Sequence, residues 1–190
     1  MLITTERLVL RRFRPSDAAT LSAYRSDPAV ARYQSWDAPY PLDQAELAVL
    51  GLAAGTPDEP GWFQYAIERT ADRTHIGDVG VNLHQNRMQA DIGFTLATAE
   101  QGKGYASEAV RAVLHHLFRV RGLHKVAAEC DARNTASARL LERVGFTREG
   151  RLREHTWIKK EWTDDLLYGL LGSEWPTAGP SQGSDDPAAG

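Results

Sequence analysis

The chain has 190 residues, enough for one domain with a substantial core, and is 42% hydrophobic and 25% charged, as globular proteins usually are. Three of its 25 acids lie in residues 173–190, and removing them leaves 22 acids against 22 Lys and Arg, so no basic field favours nucleic acid. No apolar run reaches the ~18–20 residues that span a membrane, and one cysteine excludes an internal disulfide, so we expect a cytoplasmic protein without a membrane or nucleic-acid partner.

Helical and strand-like segments alternate along the chain. Periodicity and turn residues predict, in chain order, a strand at 7–13, helices at 15–26 and 42–54, strands at 62–69, 74–83 and 88–97, a helix at 105–121, a strand at 125–130, a helix at 134–144 and strands at 146–154 and 162–171. This order predicts a mixed α/β fold with a mostly antiparallel sheet and helices on both faces. We expect one domain over residues 1–172 and a disordered tail over 173–190, which has little to bury.

A glycine-rich segment lies between the strand at 88–97 and the helix at 105–121. It contains Gly102 and Gly104, and glycine lets a backbone approach a ligand closely. The free N–H groups at a helix start bind anions, most often phosphate. The spacing fits neither a Walker loop nor a dinucleotide fingerprint. The segment therefore predicts a phosphate site of another type.

The form Gln101-x-x-Gly104-x-Ala106 resembles the pyrophosphate loop, Q/R-x-x-G-x-G/A, of the GNAT acyl-CoA N-acyltransferases. Other segments are similar to the branch that contains ribosomal-protein alanine N-acetyltransferases, and together they cover residues 4–171. They are Thr5-Glu6-Arg7-Leu8, Asn134-x-x-Ser137, Gly145-Phe146, and 150–154 with Asp164 and Tyr168. The resemblance implies the GNAT fold, in which the family's fourth and fifth strands, here 91–96 and 125–130, splay apart around the acyl-CoA.

The resemblance further implies an N-acetyltransferase that uses acetyl-CoA as co-substrate, acting as a monomer or homodimer on a primary amine, most simply a protein N-terminus. Two alternatives stay open: a small-molecule amine as acceptor, and a non-catalytic acyl-CoA-binding module. The residues that the resemblance implies for the cofactor bind the pantetheine amides, bind the pyrophosphate or pack beside the cofactor. They are Phe94, Thr95, Leu96, Gln101, Gly102, Lys103, Gly104, Tyr105, Ala106 and Asn134. Asn134 also fits a helix cap.

Ser137 is the candidate that serves the leaving thiolate. If Asn134 caps the helix, Ser137 falls in its first turn, on the inward stripe, where a hydroxyl needs a polar partner. The alternative is a hydrogen bond from Ser137 to local backbone. Many GNAT enzymes have Tyr four residues before the Gly-Phe pair, where this chain has Leu141, and that difference favours Ser137.

Asp91 is the candidate that accepts the proton of the amine, with Glu154 and His155 as weaker candidates. The alternative for Asp91 is a solvated or paired carboxylate. Aromatic residues at Tyr33, Trp36 and Tyr40 fall in an irregular segment that the family uses as a substrate wall; capping of the core is the alternative for them. No His, Cys and carboxylate spacing matches a metal site, so we expect none.

Overall fold

The computed structural model describes residues 2–176, which form one eight-stranded sheet in the order β1-β2-β3-β4-β5-β6-β8-β7. The strands are β1 (Ile3–Thr4), β2 (Leu8–Arg11), β3 (Gly61–Arg69), β4 (His75–Leu83), β5 (Gln89–Leu96), β6 (Lys125–Asp131), β7 (Thr147–Ile158) and β8 (Glu161–Leu171). The helices are α1 (Ala18–Arg25), α2 (Pro28–Ala31), α3 (Leu42–Ala54), α4 (Tyr105–His115) and α5 (Thr135–Val144). Strands β5 and β6 pair in parallel and the other neighbours pair antiparallel, so the predicted mixed sheet is confirmed.

Helices cover both faces of the sheet, as predicted. Alternate residues of a strand face opposite sides, and on β3 Phe63 and Tyr65 join the core beneath α4 and α5, whereas Ala66 joins the core beneath α1 and α3. The crossover from β5 to β6 passes through α4, which carries the predicted apolar stripe. One turn of π-helix continues α4 over His116–Val120, before Gly122 ends the segment with φ of +69°.

The closing hairpin is longer than predicted. Its strands reach Ile158 and begin again at Glu161, and the turn between them places Lys159 and Lys160 at φ of +51° and +65°. Turns with positive φ usually carry Gly, Asn or Asp, so the sequence contained no signal for this one. The structure also adds β1 and α2, two short elements that periodicity does not predict.

The packed chain continues past the predicted domain boundary at 172. Trp175 is only 8% exposed, and its ring lies 5.9 Å from that of Phe118 in the core. Arg119 donates a hydrogen bond to the carbonyl oxygen of Trp175. A large aromatic residue buries enough apolar area to order its neighbours, so the domain includes Trp175. The disordered tail was predicted over residues 173–190, and the part of that prediction on residues 177–190 lies outside the described residues.

Within residues 2–176, none of the helices combines the length and the apolar character needed to cross a membrane.

Candidate active site

The sheet opens between β5 and β6, as the family resemblance implies for these two strands. Their parallel pairing ends where Ile92 lies beside Ala128. Beyond that point β5 pairs only with β4, up to Leu96, and β6 pairs only with β8, up to Asp131. Each strand therefore turns one edge of backbone N–H and C=O groups into the opening, where an extended ligand finds hydrogen-bond partners.

A cavity of about 490 Å³ fills this opening on the α4 and α5 side. It is bounded by the end of β5, the glycine loop, the first turn of α4, one face of α5 and the start of the segment after α2. Predicted cofactor residues supply much of its wall: Phe94, Thr95, Leu96, Gln101, Gly102, Gly104, Tyr105, Ala106 and Asn134. The structure thus brings together residues that the sequence associated with pantetheine and with phosphate.

The glycine loop has the backbone that its composition predicts. Gly102 and Gly104 adopt φ of +74° and +84°, in the left-handed region that favours glycine, and Gly104 immediately precedes α4. The side chain of Gln101 donates to the carbonyl oxygen of Leu96 at 3.0 Å, which ties the loop to the end of β5. The first N–H groups of α4 have no intrahelical partner and lie at the positive end of its dipole, a suitable seat for a pyrophosphate.

Arg7 supports this loop from β2's side, a role that sequence reasoning missed. Its guanidinium donates to the carbonyl oxygen of Lys103 at 3.1 Å, lies 4.7 Å from the Tyr105 ring centroid, and pairs with Glu108 at 2.6 Å. The side chain of Lys103 does not line the cavity but pairs with Glu100 at 3.1 Å. Lys103 therefore contributes to the loop through its backbone.

Helix α5 begins at the cavity with the predicted cap. The Asn134 side chain accepts a hydrogen bond from the Ser137 amide at 3.1 Å, so the capping role is confirmed. Ser137 lines the cavity, and within the described residues its hydroxyl has no hydrogen-bond partner. The alternative for Ser137, a hydrogen bond from its hydroxyl to the local backbone, is therefore not seen in the described residues. The hydroxyl is therefore free to donate to a ligand.

Asp91 lies on the other face of the sheet and does not line the cavity. It alternates along β5 with Ala90 and Ile92, which are core residues on the α4 side. Its carboxylate accepts hydrogen bonds from His84 at 2.9 Å and from Asn82 at 3.1 Å, and the side chain remains 39% exposed. The structure thus places Asp91 one residue before the opening, as a paired but accessible carboxylate.

The same face holds a cluster of which only His155 was a candidate from the sequence: Glu129 of β6, His155 of β7 and Asp165 of β8, with one ligand-type atom of each within 4.8 Å of the others. Burial, and next the negative charge of Asp165, raises the pKa of Glu129. A carboxylate whose pKa is raised accepts a proton better near neutral pH. This cluster also has a metal-ligand composition that no local spacing revealed.

An irregularity in β7 positions His155. Residues 153–155 of β7 lie opposite the single residue Asp164 of β8, and Glu154 takes φ of +47°. Asp164 stabilises this bulge by accepting from the Glu154 amide at 2.8 Å. Bulges of this kind re-aim side chains beside active sites, and here the bulge turns His155 towards Asp165, which is only 4% exposed and accepts from Thr156.

The three predicted substrate-wall aromatics have different surroundings. Tyr33 lines the cavity, and its hydroxyl lies 3.4 Å from the carbonyl oxygen of Arg133. Trp36 is partly buried beneath Arg25, whose guanidinium is 4.3 Å from the ring. Tyr40 is 5% exposed and packs in the core beneath α1 and α3. The position of Tyr40 fits the alternative reading, a core residue, because its ring faces α1 and α3 and not the opening.

A sequence profile of the family described as Acetyltransferase (GNAT) domain matches residues 7–147. The chain belongs to this family. It is an N-acetyltransferase that uses acetyl-CoA, and the non-catalytic module considered from the sequence is thereby set aside. The cavity fits that co-substrate, since a free strand edge, a loop with two left-handed glycines and a helix start follow one another along its wall.

Relatives of this acetyltransferase align over nearly its whole length. It is 31% identical over 173 residues to the uncharacterized N-acetyltransferase p20 of Bacillus licheniformis, which covers 90% of this chain and 96% of the relative. It is 26% identical over 179 residues to the ribosomal protein uS5-alanine N-acetyltransferase of Escherichia coli, which covers 91% of this chain and 92% of that enzyme.

Solved structures share the fold. A GNAT-family acetyltransferase from Bacillus anthracis superposes with a TM-score of 0.84 at 26% identity, over 92% of this chain and all (100%) of the other. RimL, an alpha-N-protein acetyltransferase of ribosomal L7/L12 solved with coenzyme A, superposes with a TM-score of 0.79 at 22% identity, over 90% and 98% of the two chains. The second likeness shows the fold alone.

Proposed function

We propose that this acetyltransferase moves the acetyl group of acetyl-CoA to the N-terminal amine of a protein or peptide, by direct attack in a ternary complex. The observation that carries the proposal is the opening at Ile92 and Ala128, with the cofactor cavity on one face and carboxylates on the other. An amine on the carboxylate face then meets the thioester through the opening. The aligned uS5-alanine N-acetyltransferase supports a protein N-terminus as acceptor.

The face of the sheet that carries Asp91 and Glu129, called the acceptor face below, has room for a peptide beside the opening. Gly93 is the first residue of β5 beyond the opening, and a Cβ built on it would meet no atom within 4 Å. Asp91 and Glu129 flank this space along β5 and β6 and supply negative charge that attracts an ammonium group. A free space beside two carboxylates suits an extended peptide with a cationic terminus.

The amine must lose a proton before it attacks, and we assign that step to Glu129. Sequence reasoning favoured Asp91, but the Asp91 carboxylate already accepts two hydrogen bonds, whereas the pKa of Glu129 is raised by burial and by Asp165. In this assignment Glu129 takes one N–H proton and Asp91 holds the ammonium by charge. Once the amide has formed, that proton passes to solvent, in balance with the overall reaction.

On the cavity side, we assign the oxyanion that develops during attack to a backbone N–H on the open edge of β5, beyond the last residue, Ile92, that pairs with β6. Ser137 then donates a hydrogen bond to the departing sulfur and keeps its own hydrogen, helped by the N-terminal end of the α5 dipole. The second proton, which the nitrogen loses as the amide forms, passes through solvent to the thiolate and gives the free thiol of coenzyme A. Burial, followed by the charges of Asp131, Asp165 and Glu129, raises the pKa of Cys130 to about 11. Its thiol therefore stays protonated at neutral pH, which supports direct transfer rather than an acyl-cysteine.

A panel of acceptors tests the choice of substrate. Short peptides with free α-amines, the same peptides with blocked N-termini and an internal lysine, and small amines such as spermidine are compared by thiol release from acetyl-CoA. We expect kcat/KM for free N-termini to exceed that for every small amine by at least about tenfold. Mass spectrometry should place the acetyl group on the α-amine, and faster acetylation of a small amine or of blocked peptides would refute the N-terminal assignment.

A second prediction concerns Ser137. Changing Ser137 to Ala should lower kcat and kcat/KM together by about tenfold to a thousandfold, because a donor used only as the thiolate departs is lost. CoA affinity measured by calorimetry should stay near that of the unchanged enzyme. Ser16→Ala serves as the control, since Ser16 is an exposed serine outside the cofactor cavity. Full activity in the Ser137 variant would contradict this role and would mean that water stabilises the departing thiolate.

A further inference from the structure

Two arginines of α5 face the cofactor cavity, and the structure gives their charges little compensation. Arg139 and Arg143 are four residues apart, so they lie on one side of the helix, and both line the cavity. Within residues 2–176, Arg139 makes no hydrogen bond or ion pair. In that same part of the chain, the guanidinium of Arg143 reaches only the Ser107 hydroxyl, at 3.5 Å.

Nine of the chain's 18 arginines pair with a carboxylate, and among the other nine in the described residues Arg139 and Arg143 are the two that line the cofactor cavity. Carboxylates lie within ion-pair distance of Arg7, Arg11, Arg14, Arg69, Arg73, Arg87, Arg121, Arg133 and Arg151. Among the described residues, the one acid in the cavity wall is Glu100, which already accepts hydrogen bonds from Arg69 at 2.8 Å and from Lys103 at 3.1 Å. The cavity wall therefore has a surplus of positive charge on the α5 side.

The order of residues along α5 matches the order of groups along acetyl-CoA. Asn134 and Ser137 stand at the start of the helix, near the opening of the sheet. Arg143 lies near its end, beside Ser107 in the first turn of α4, next to the loop for the pyrophosphate. Ser137 and Arg143 are six positions apart along the helix, about 9 Å at the usual rise. Arg143 thus lies at the nucleotide end of the cavity, and Arg139, one turn earlier on the same side of α5, lies between that end and the acetyl end.

We propose that Arg139 and Arg143 bind the 3′-phosphate of acetyl-CoA, so that this enzyme distinguishes coenzyme A from 3′-dephospho-coenzyme A. The loop amides and the first turn of α4 already supply hydrogen-bond donors for the pyrophosphate. The 3′-phosphate is a separate dianion on the same ligand, so it needs a second positively charged binding site. Guanidinium groups bind phosphate through paired, charge-assisted hydrogen bonds. The proposal depends on acetyl-CoA as co-substrate and is independent of which amine accepts the acetyl group.

Calorimetry in the absence of an acceptor amine tests the proposed 3′-phosphate site. Coenzyme A and 3′-dephospho-coenzyme A are titrated into the unchanged enzyme and into the double variant Arg139→Gln/Arg143→Gln. Losing charge-assisted hydrogen bonds at an exposed site should make the dephosphorylated ligand bind about tenfold to a hundredfold more weakly to the unchanged enzyme. In the double variant both ligands should bind alike, with an affinity close to that of the dephosphorylated ligand for the unchanged enzyme.

Arg148→Gln is the matched control, because Arg148 is an exposed arginine on β7 outside the cavity and its loss changes net charge by the same sign. It should keep the full discrimination. Equal weakening of both ligands in the double variant would assign the arginines to the pyrophosphate and overturn the proposal. Equal affinities in the unchanged enzyme would overturn it as well, and that comparison needs no variant to fold.

Discussion

Replacing Glu129 by glutamine is expected to lower kcat/KM for the amine by about 10²–10⁴-fold, the usual contribution of a positioned base. Glu129 lies on the acceptor face beside Asp165 and His155, immediately past the last residue that pairs β6 with β5. Glutamine keeps the size of the side chain but cannot take a proton. CoA affinity should not change, because Glu129 does not line the cofactor cavity.

The pH profile makes this prediction specific. The ionised form of Glu129 is the one that accepts a proton, so kcat/KM should fall as the pH falls through its pKa. Because that pKa is raised, the fall should begin at higher pH than for an ordinary glutamate. In Glu129→Gln this part of the profile should vanish, while the limb due to the acceptor amine itself remains.

Two further variants serve as comparisons for Glu129→Gln. Asp91→Asn should cost only about tenfold, since Asp91 is assigned an attraction of the ammonium and not the proton transfer itself. Glu46→Gln, which changes an exposed carboxylate on α3, should leave the rate unaltered. If Asp91→Asn proves far more damaging than Glu129→Gln, the base is the residue that the sequence first indicated, and the assignment made from the structure is wrong.

Changing Gly104 to Val is expected to weaken CoA binding by at least about a thousandfold, equivalent to the loss of two or more charge-assisted hydrogen bonds. Gly104 has φ of +84°, which a β-branched residue rarely adopts, and its added Cβ would lie 3.4 Å from Nη2 of Arg7. The loop must then shift away from the geometry that brings its amides to the pyrophosphate. Calorimetry with coenzyme A measures the loss.

Gly122→Val is the control for the effect of backbone strain alone. Gly122 has φ of +69°, and a Cβ added to it would meet no atom within 4 Å, so valine there carries a similar conformational cost away from the cavity. This control should lose stability in thermal unfolding but bind coenzyme A normally. A folded Gly104→Val enzyme with undiminished CoA affinity would show that the pyrophosphate does not approach this loop.

Local patterns determined most of the architecture. The order of strands and helices, the cap at Asn134 and the left-handed Gly104 and Gly145 depend on residues within a few positions of one another, so periodicity and turn chemistry revealed them. The glycine loop belongs to the same class, because its left-handed conformation resides in one short backbone segment. The hairpin turn at Lys159 and Lys160 escaped prediction, since it adopts positive φ without the usual residues.

The sequence by itself therefore determined the fold class, the conformation of the glycine loop and the position of Ser137 in the first turn of α5. Only the tertiary structure decided which side chains share a face: Glu129 with His155 and Asp165, and Arg139 with the cavity. It also decided that Tyr40 and Trp175 are core residues. The physical reason is that these arrangements depend on strand register and on a bulge in β7, which join distant parts of the chain and have no local sequence signature.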